Sequence, residues 1–295
     1  MASAGTKPLV GIIGGSGIYD IDGLVDTRWV EIGSPFGAPS DALLFGALDG
    51  QPLVFLPRHG RGHRLLPGEI DYRANIDALK RAGVTDVISI SAVGSLREGL
   101  APGSFVIVDQ FIDRTFARAK TFFGAGVAAH VSMAHPVCAR LGDHIAAAAA
   151  ARGIPATRGG AYLVIEGPQF STLGESELYR SWGCDVIGMT NMPEAKLARE
   201  AEMCYATIAM VTDYDCWHPD HDAVTVETVI AVLQANAQAA RGLIGDLVPR
   251  LADHAGPCAG GCQTALDHAI ITAPDARDPE ALARLDAVAG RVLGR

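Results

Sequence analysis

The sequence predicts an α/β fold: one domain on a central, largely parallel sheet with helices over both faces. Three observations carry this. Apolar, β-rich runs without polar alternation recur along the chain, the mark of strands buried on both faces. Helical patterns separate most of them, as in crossover-connected parallel sheets. The 295 residues, 49% of them hydrophobic, suffice for one sizeable core.

The elements follow in order. "PLVGII" (8–13) reads as the first strand, and "DALLFGALDGQPLVFLP" (41–57) as a hairpin turning at Asp49-Gly50, a pair suited to positive φ. A helix over 71–82 stops at Gly83 and leads into the strand "VTDVISISAVG" (84–94), then "SFVIVD" (104–109). A helix over 134–152 stops at Gly153 and "AYLVIEG" (161–167) follows; a helix over 173–182 stops at Gly183 and "DVIGM" (185–189) follows. Pro193 opens a helix to 203, "CYATIAMV" (204–211) is the last strand, and Thr225 caps a long helix to 248. No internal repeat and no Pro/Ser-rich linker divides the chain, so residues 1–295 read as one domain. From about 254 to 278 a Gly, Pro and Ala-rich arm precedes a final helix over 279–293.

Composition excludes several function classes. With 24 basic and 33 acidic residues the net charge is −9, and no Lys/Arg block provides a footprint for nucleic acid or an anionic membrane. No run approaches the length of a membrane span, and "MASAGTKPLVGIIGG" lacks the layout of a targeting peptide, so a cytoplasmic protein is expected. The six cysteines match no zinc spacing; Cys258 and Cys262 in "CAGGC" could close a disulfide, though a reducing cytosol favours two free thiols. No metal is expected.

Ligands of a parallel sheet sit beyond the carboxyl ends of its strands, and polar signals gather there. "GGSG" (14–17) is either a tight glycine turn or an anion site with Ser16 as a donor. It lacks a dinucleotide fingerprint and a P-loop lysine. "PRHGRGH" (57–63) is either a solvated loop or the place where Arg58 forks onto an oxyanion with His59 beside it. Ser91, near the end of the 84–94 strand, and Thr190, after "DVIGM", add hydroxyls; each alone can be structural. The last strand runs into Asp213 and Asp215. Such an Asp-x-Asp is a turn cap, or a carboxylate pair whose burial keeps a proton in place for chemistry.

These motifs resemble the 5′-methylthioadenosine phosphorylase family of the purine nucleoside phosphorylase superfamily. "GIIGGSGIYD", "PRHGRGH", "YRANIDALK", "SAVGSLREGLAPGSFVIVDQFIDRT", "IEGPQFST", "VIGMTNMPEAKLAREAEMCYA" and "TDYDCW" occur in that family's order and cover about 10–240. The resemblance implies a mixed, partly barrel-like sheet, a homotrimer or dimer of trimers, and no cofactor besides inorganic phosphate as co-substrate. It implies phosphorolysis of methylthioadenosine to adenine and 5-methylthioribose 1-phosphate, in purine and methionine salvage. Phosphate would be held by Ser16, Arg58, His59, Ser91, the Ala92 backbone and Thr190. Met189 would pack on the ribose, Phe170 and Ser171 would lie by the base, and Asp213 and Asp215 would face the purine edge.

The helix stripe Val226, Val229, Ile230 and Leu233 is core by its spacing alone; the resemblance puts the first three at the 5′ substituent, where apolar walls suit a methylthio group. His130 would reach a neighbouring subunit's site. Gly188 stands where some members carry a larger polar residue, which removes a ribose contact, and the stretches 119–133 and beyond 250 match poorly. The competing readings are a phosphorylase of 6-oxopurine nucleosides, a hydrolase of the same nucleoside, and a nucleoside-binding module without turnover.

Overall fold

A computed structural model describes residues 8–15, 17–18, 20–219, 226–251 and 257–294; for 226–229 and 231 only the backbone is described. Ser16 and Thr225, and the side chains of Val226 and Val229, therefore lie outside the described residues.

Among the described residues eleven strands form one sheet. β1 (Leu9–Gly14), β2 (Val25–Val30), β3 (Leu43–Leu48) and β4 (Gln51–Pro57) come first, then α1 (Tyr72–Arg81) and β5 (Val84–Ser95). β6 (Phe105–Ile107), β7 (Gln110–Asp113), α2 (Ala139–Ala151), β8 (Ala156–Arg158), β9 (Ala161–Val164), α3 (Leu173–Ser181) and β10 (Val186–Gly188) follow. α4 (Asn191–Glu200), β11 (Cys204–Asp213), α5 (Val226–Arg250), α6 (Pro279–Arg284) and α7 (Asp286–Leu293) complete the chain.

The hairpin β3–β4 turns where expected, with Asp49 at φ 47° and Gly50 at φ 72°, both positive as a type I′ connection requires. β2 was not legible in the sequence because "VDTRWV" is polar and largely exposed; it is an edge strand on β3. The predicted 104–109 strand is shorter, β6 alone, with β7 an unpredicted strand just beyond it, and the predicted 134–152 helix begins only at Ala139. The final helix is broken at Leu285 into α6 and α7.

β5 organises the sheet. Along one edge it pairs in parallel with β11; along the other it pairs in parallel with β1, then antiparallel with β10 through Gly94 and Ser95. β11 continues through β6 to β8, and β10 through β9 to β7. Because β8 and β9 are joined by only two residues, Gly159 and Gly160, the two branches bend back towards each other, and Gly159 donates to Ile107 O at 2.9 Å. The result is the mixed, partly barrel-like sheet implied by the resemblance.

Successive strand residues feed opposite layers. In β11, Tyr205, Ala209 and Val211 pack with α1 and α4 residues such as Leu79 and Leu197; Ala206, Ile208 and Met210 pack with Leu141 of α2 and Leu243 of α5. Each fully buried Leu or Ile contributes about 1.5–3 kcal/mol, which fixes the register, since a one-residue slip would exchange the layers. Among the described residues no helix is long and apolar enough to cross a membrane.

Glu200, near the end of α4, is buried and accepts from the Thr121 hydroxyl and the Phe122 N–H, both at 2.7 Å. Burial outweighs these bonds and raises its pKa from 4.5 to about 7. A folded-state value above the unfolded one means the group favours folding below the unfolded pKa, and that contribution is lost as pH rises towards 7. Glu200→Gln is therefore expected to flatten the fall in thermal stability between pH 5 and 8; an unaltered slope in melting scans would show that other groups govern it.

Candidate active site

A cavity of about 570 Å³ opens at the carboxyl ends of β1, β4, β5, β10 and β11. These strands are neighbours, which brings together motifs that the sequence scatters from Gly15 to Ala237. Arg58, His59, Ser91, Ala92, Phe170, Ser171, Met189, Thr190, Asp213, Asp215 and Ile230 all line it. His130 does not; it is exposed, with its N–H on Ala269 O at 2.9 Å.

At the anion end the geometry corrects one expectation. The forked edge of Arg58 does not face the cavity but Glu194, with Nε to Oε2 at 2.9 Å and Nη2 to Oε1 at 3.3 Å. Nη2 also donates to Ser89 Oγ at 2.6 Å and Nη1 to Ile90 O at 2.8 Å. A guanidinium has five N–H groups, so one Nη1 N–H remains for a ligand among the described contacts. The pairing has a physical reason: Arg58 is 2% exposed, and a buried cation must be neutralised and hydrogen-bonded.

Glu194 escaped the sequence reading, which took "MPE" only as a helix start. It is held in turn by Tyr205, whose hydroxyl donates to Oε1 at 2.9 Å. Asn191 joins the network, donating to Ser89 Oγ at 2.9 Å and Thr207 Oγ1 at 2.8 Å and accepting from Ser91 Oγ at 3.0 Å. Ser91 must therefore rotate its hydroxyl to serve a ligand. Thr190 needs no such change: its buried Oγ1 has no partner among the described residues.

His59 stacks on His63 at 4.2 Å and shares Nδ1 with Leu65 O at 2.8 Å. Burial and the Arg58 cation push its pKa down to about 4. The ring is thus neutral near pH 7, Nδ1 carries the proton given to the carbonyl, and Nε2 is left as an acceptor.

At the other end, burial raises the pKa of both acids, and for Asp215 the charge of Asp213 adds to it. Asp213 is braced at both oxygens, by the Thr212 hydroxyl at 2.7 Å and by the Asp215 N–H at 2.8 Å. Asp215 holds a left-handed backbone, φ 53°, which turns the chain at the strand end. Gly94 makes room for the pair, since a Cβ there would stand 3.0 Å from Asp213 Oδ1 and 3.3 Å from Asp215 Cβ.

Between the two ends, the Met189 and Met192 carbonyls accept from Arg118 at 2.6 and 2.8 Å, and Glu166 O does so at 2.7 Å. Arg118 was not singled out in the sequence either. Gly188 also finds its reason: a Cβ would lie 2.1 Å from the Tyr162 hydroxyl, which fills that space beside Ser91. Phe170, 51% exposed, and Ile230, 46% exposed, form the rim, with Leu233 behind.

The profile of the phosphorylase superfamily matches residues 9–249. The chain belongs to the phosphorylase superfamily. It is 64% identical over 287 residues to the S-methyl-5′-thioadenosine phosphorylase of Cereibacter sphaeroides, covering 97% of this chain and 99% of that one. The enzyme of the same name from Rhodospirillum rubrum is 63% identical with 100% of both chains covered. Among solved structures of the superfamily, a methylthioadenosine phosphorylase from an Antarctic soil metagenomic library superposes with a TM-score of 0.90 at 47% identity, covering 96% and 99% of the chains. A mutant of the adenosine/methylthioadenosine phosphorylase of Schistosoma mansoni, in complex with adenine, superposes at 0.79 and 38% identity over 84% and 93%.

Proposed function

We propose that the chain cleaves 5′-methylthioadenosine with inorganic phosphate, yielding adenine and 5-methylthioribose 1-phosphate. The observation that carries this reading is one cavity holding a raised-pKa acid pair at the end of β11 and unspent anion donors at the ends of β4 and β10. A phosphate oxygen attacks C1′ from the face opposite the base. As the C1′–N9 bond breaks, its electron pair passes into the purine and N7 takes a proton from the acid pair. Such general-acid help is typically worth about 10²–10⁴ in rate.

At the anion end, Thr190 Oγ1 and the remaining Arg58 Nη1 N–H donate to phosphate, while neutral His59 accepts at Nε2 from a phosphate hydroxyl. Carboxylates at the purine edge favour a 6-amino over a 6-oxo base, because the exocyclic amine donates where a carbonyl would be repelled. Ile230 and Leu233 supply an apolar wall for the methylthio group. A homotrimer belongs to the same proposal and rests on the family resemblance alone.

Release of adenine from methylthioadenosine, adenosine and inosine, with and without phosphate, tests the reading. Adenine is expected only when phosphate is present, fastest from methylthioadenosine. Phosphate-independent release would favour a hydrolase, binding without release a nucleoside-binding module, and preference for inosine a 6-oxopurine enzyme.

A further inference from the structure

Far from this cavity, the fold assembles four of the six cysteines. Cys138 caps the start of α2, Cys204 is the first residue of β11, and Cys258 and Cys262 flank a tight turn in the C-terminal arm. All are at most 6% exposed, and none is in a disulfide. Their four Sγ atoms lie within 4.8 Å of one another, with Cys138 and Cys258 at 3.6 Å. A tetrahedral ion with zinc–sulfur bonds of about 2.3 Å sets its sulfurs about 3.8 Å apart. Two disulfides would instead draw the sulfurs into two pairs about 2.05 Å apart; the observed arrangement is one group of four.

From these positions we infer that Cys138, Cys204, Cys258 and Cys262 form a structural site for zinc.

The surroundings suit an anionic tetrathiolate. Gly260 N–H donates to Cys258 Sγ and Gln263 Nε2 to Cys204 Sγ, each at 3.4 Å, while Gln263 Oε1 accepts from Cys258 N–H at 2.8 Å. Donors of this kind orient metal-bound thiolates. The N-terminus of the 13-residue α2 adds a favourable dipole at Cys138. Arg140, whose Nη2 donates to Asp86, the residue paired with Cys204 in the sheet, has Nε and Nη1 without a hydrogen-bond partner among the described residues. Four thiols would release four protons to solvent on binding; Zn²⁺ neutralises two of the resulting charges, and Arg140 offsets part of the rest.

Four protein ligands leave no open position, which makes the site structural. Its place agrees, because Cys204 and Asp213 are opposite ends of β11. Closure ties the arm to α2 and the sheet. The sequence reading found no zinc spacing, yet Cys-x₃-Cys at 258–262 falls within the range of zinc half-sites; its partners come from 120–124 and 54–58 residues away, and no local pattern signals them.

The test uses untagged full-length protein purified without chelator. Elemental analysis is expected to give about one zinc per chain, released when a mercurial titrates four thiols. Protein stripped of metal and refilled with Co²⁺ is expected to show thiolate-to-cobalt charge transfer and the intense visible bands of a tetrahedral sulfur site. Cys262→Ser should lose the metal and melt lower with kcat on methylthioadenosine little changed, while Cys184→Ala keeps its zinc. Failure of wild-type protein to take up Zn²⁺ or Co²⁺, a cobalt spectrum without thiolate bands, or a non-reduced mass short by four hydrogens would each overturn the site. The wild-type measurements stand even if Cys262→Ser fails to fold, and none depends on catalysis.

Discussion

Asp213→Asn is expected to lower kcat for methylthioadenosine by about 10²–10⁴, the usual worth of a positioned general acid, with a much smaller change in KM. The amide matches the carboxyl in shape and can still meet the purine edge, so binding survives. What it removes is the transferable proton, together with the coupling that raises Asp215. Wild-type turnover should fall as pH rises through the raised apparent pKa of the pair, because the protonated form is the active one. In the variant that dependence should vanish. Activity on inosine should rise relative to methylthioadenosine, since an amide can donate to a carbonyl. Steady-state kinetics across pH on both substrates decides it: an unchanged kcat, or an unchanged alkaline limb, would remove Asp213 from proton transfer.

Glu194→Gln is expected to produce the largest loss of stability. It leaves Arg58, 2% exposed, as a buried cation without its counter-charge, and breaking such a pair typically costs about 3–5 kcal/mol. For a chain of this size that corresponds to a fall in Tm of about 5–15 °C. The loss should be partly repaired by saturating phosphate, and more so than in the wild type, because an anion beside the free Nη1 N–H replaces some of the missing charge. A double variant, Arg58→Met with Glu194→Leu, should recover much of the Tm while lacking the phosphate response. Thermal scans with and without phosphate are sufficient; a Glu194→Gln protein that melts with the wild type would show that Arg58 keeps its protonated, buried state by other means.

These outcomes draw on different levels of information. The strands, the Asp49-Gly50 turn and the long helix α5 were legible because periodicity and turn chemistry are local: each apolar run had to bury its own faces wherever it ended up. The place of the cavity was legible too. Glycines, hydroxyls and carboxylates at strand ends mark the crevice of a parallel sheet before any coordinate is known. β2 was hidden by its polar composition and edge position.

The identities of partners were not legible. Nothing near Arg58 in the chain announces Glu194, 136 residues away, and nothing near Gly188 announces the Tyr162 hydroxyl that occupies its side-chain space. The sulfur cluster is the extreme case, four residues from three distant segments made neighbours by the packing of α2, β11 and the arm. A sequence by itself states which groups are too costly to bury alone. Only the tertiary structure decides what neutralises them, because a buried charge or thiol takes its energy from whichever remote group the fold brings within a few ångströms.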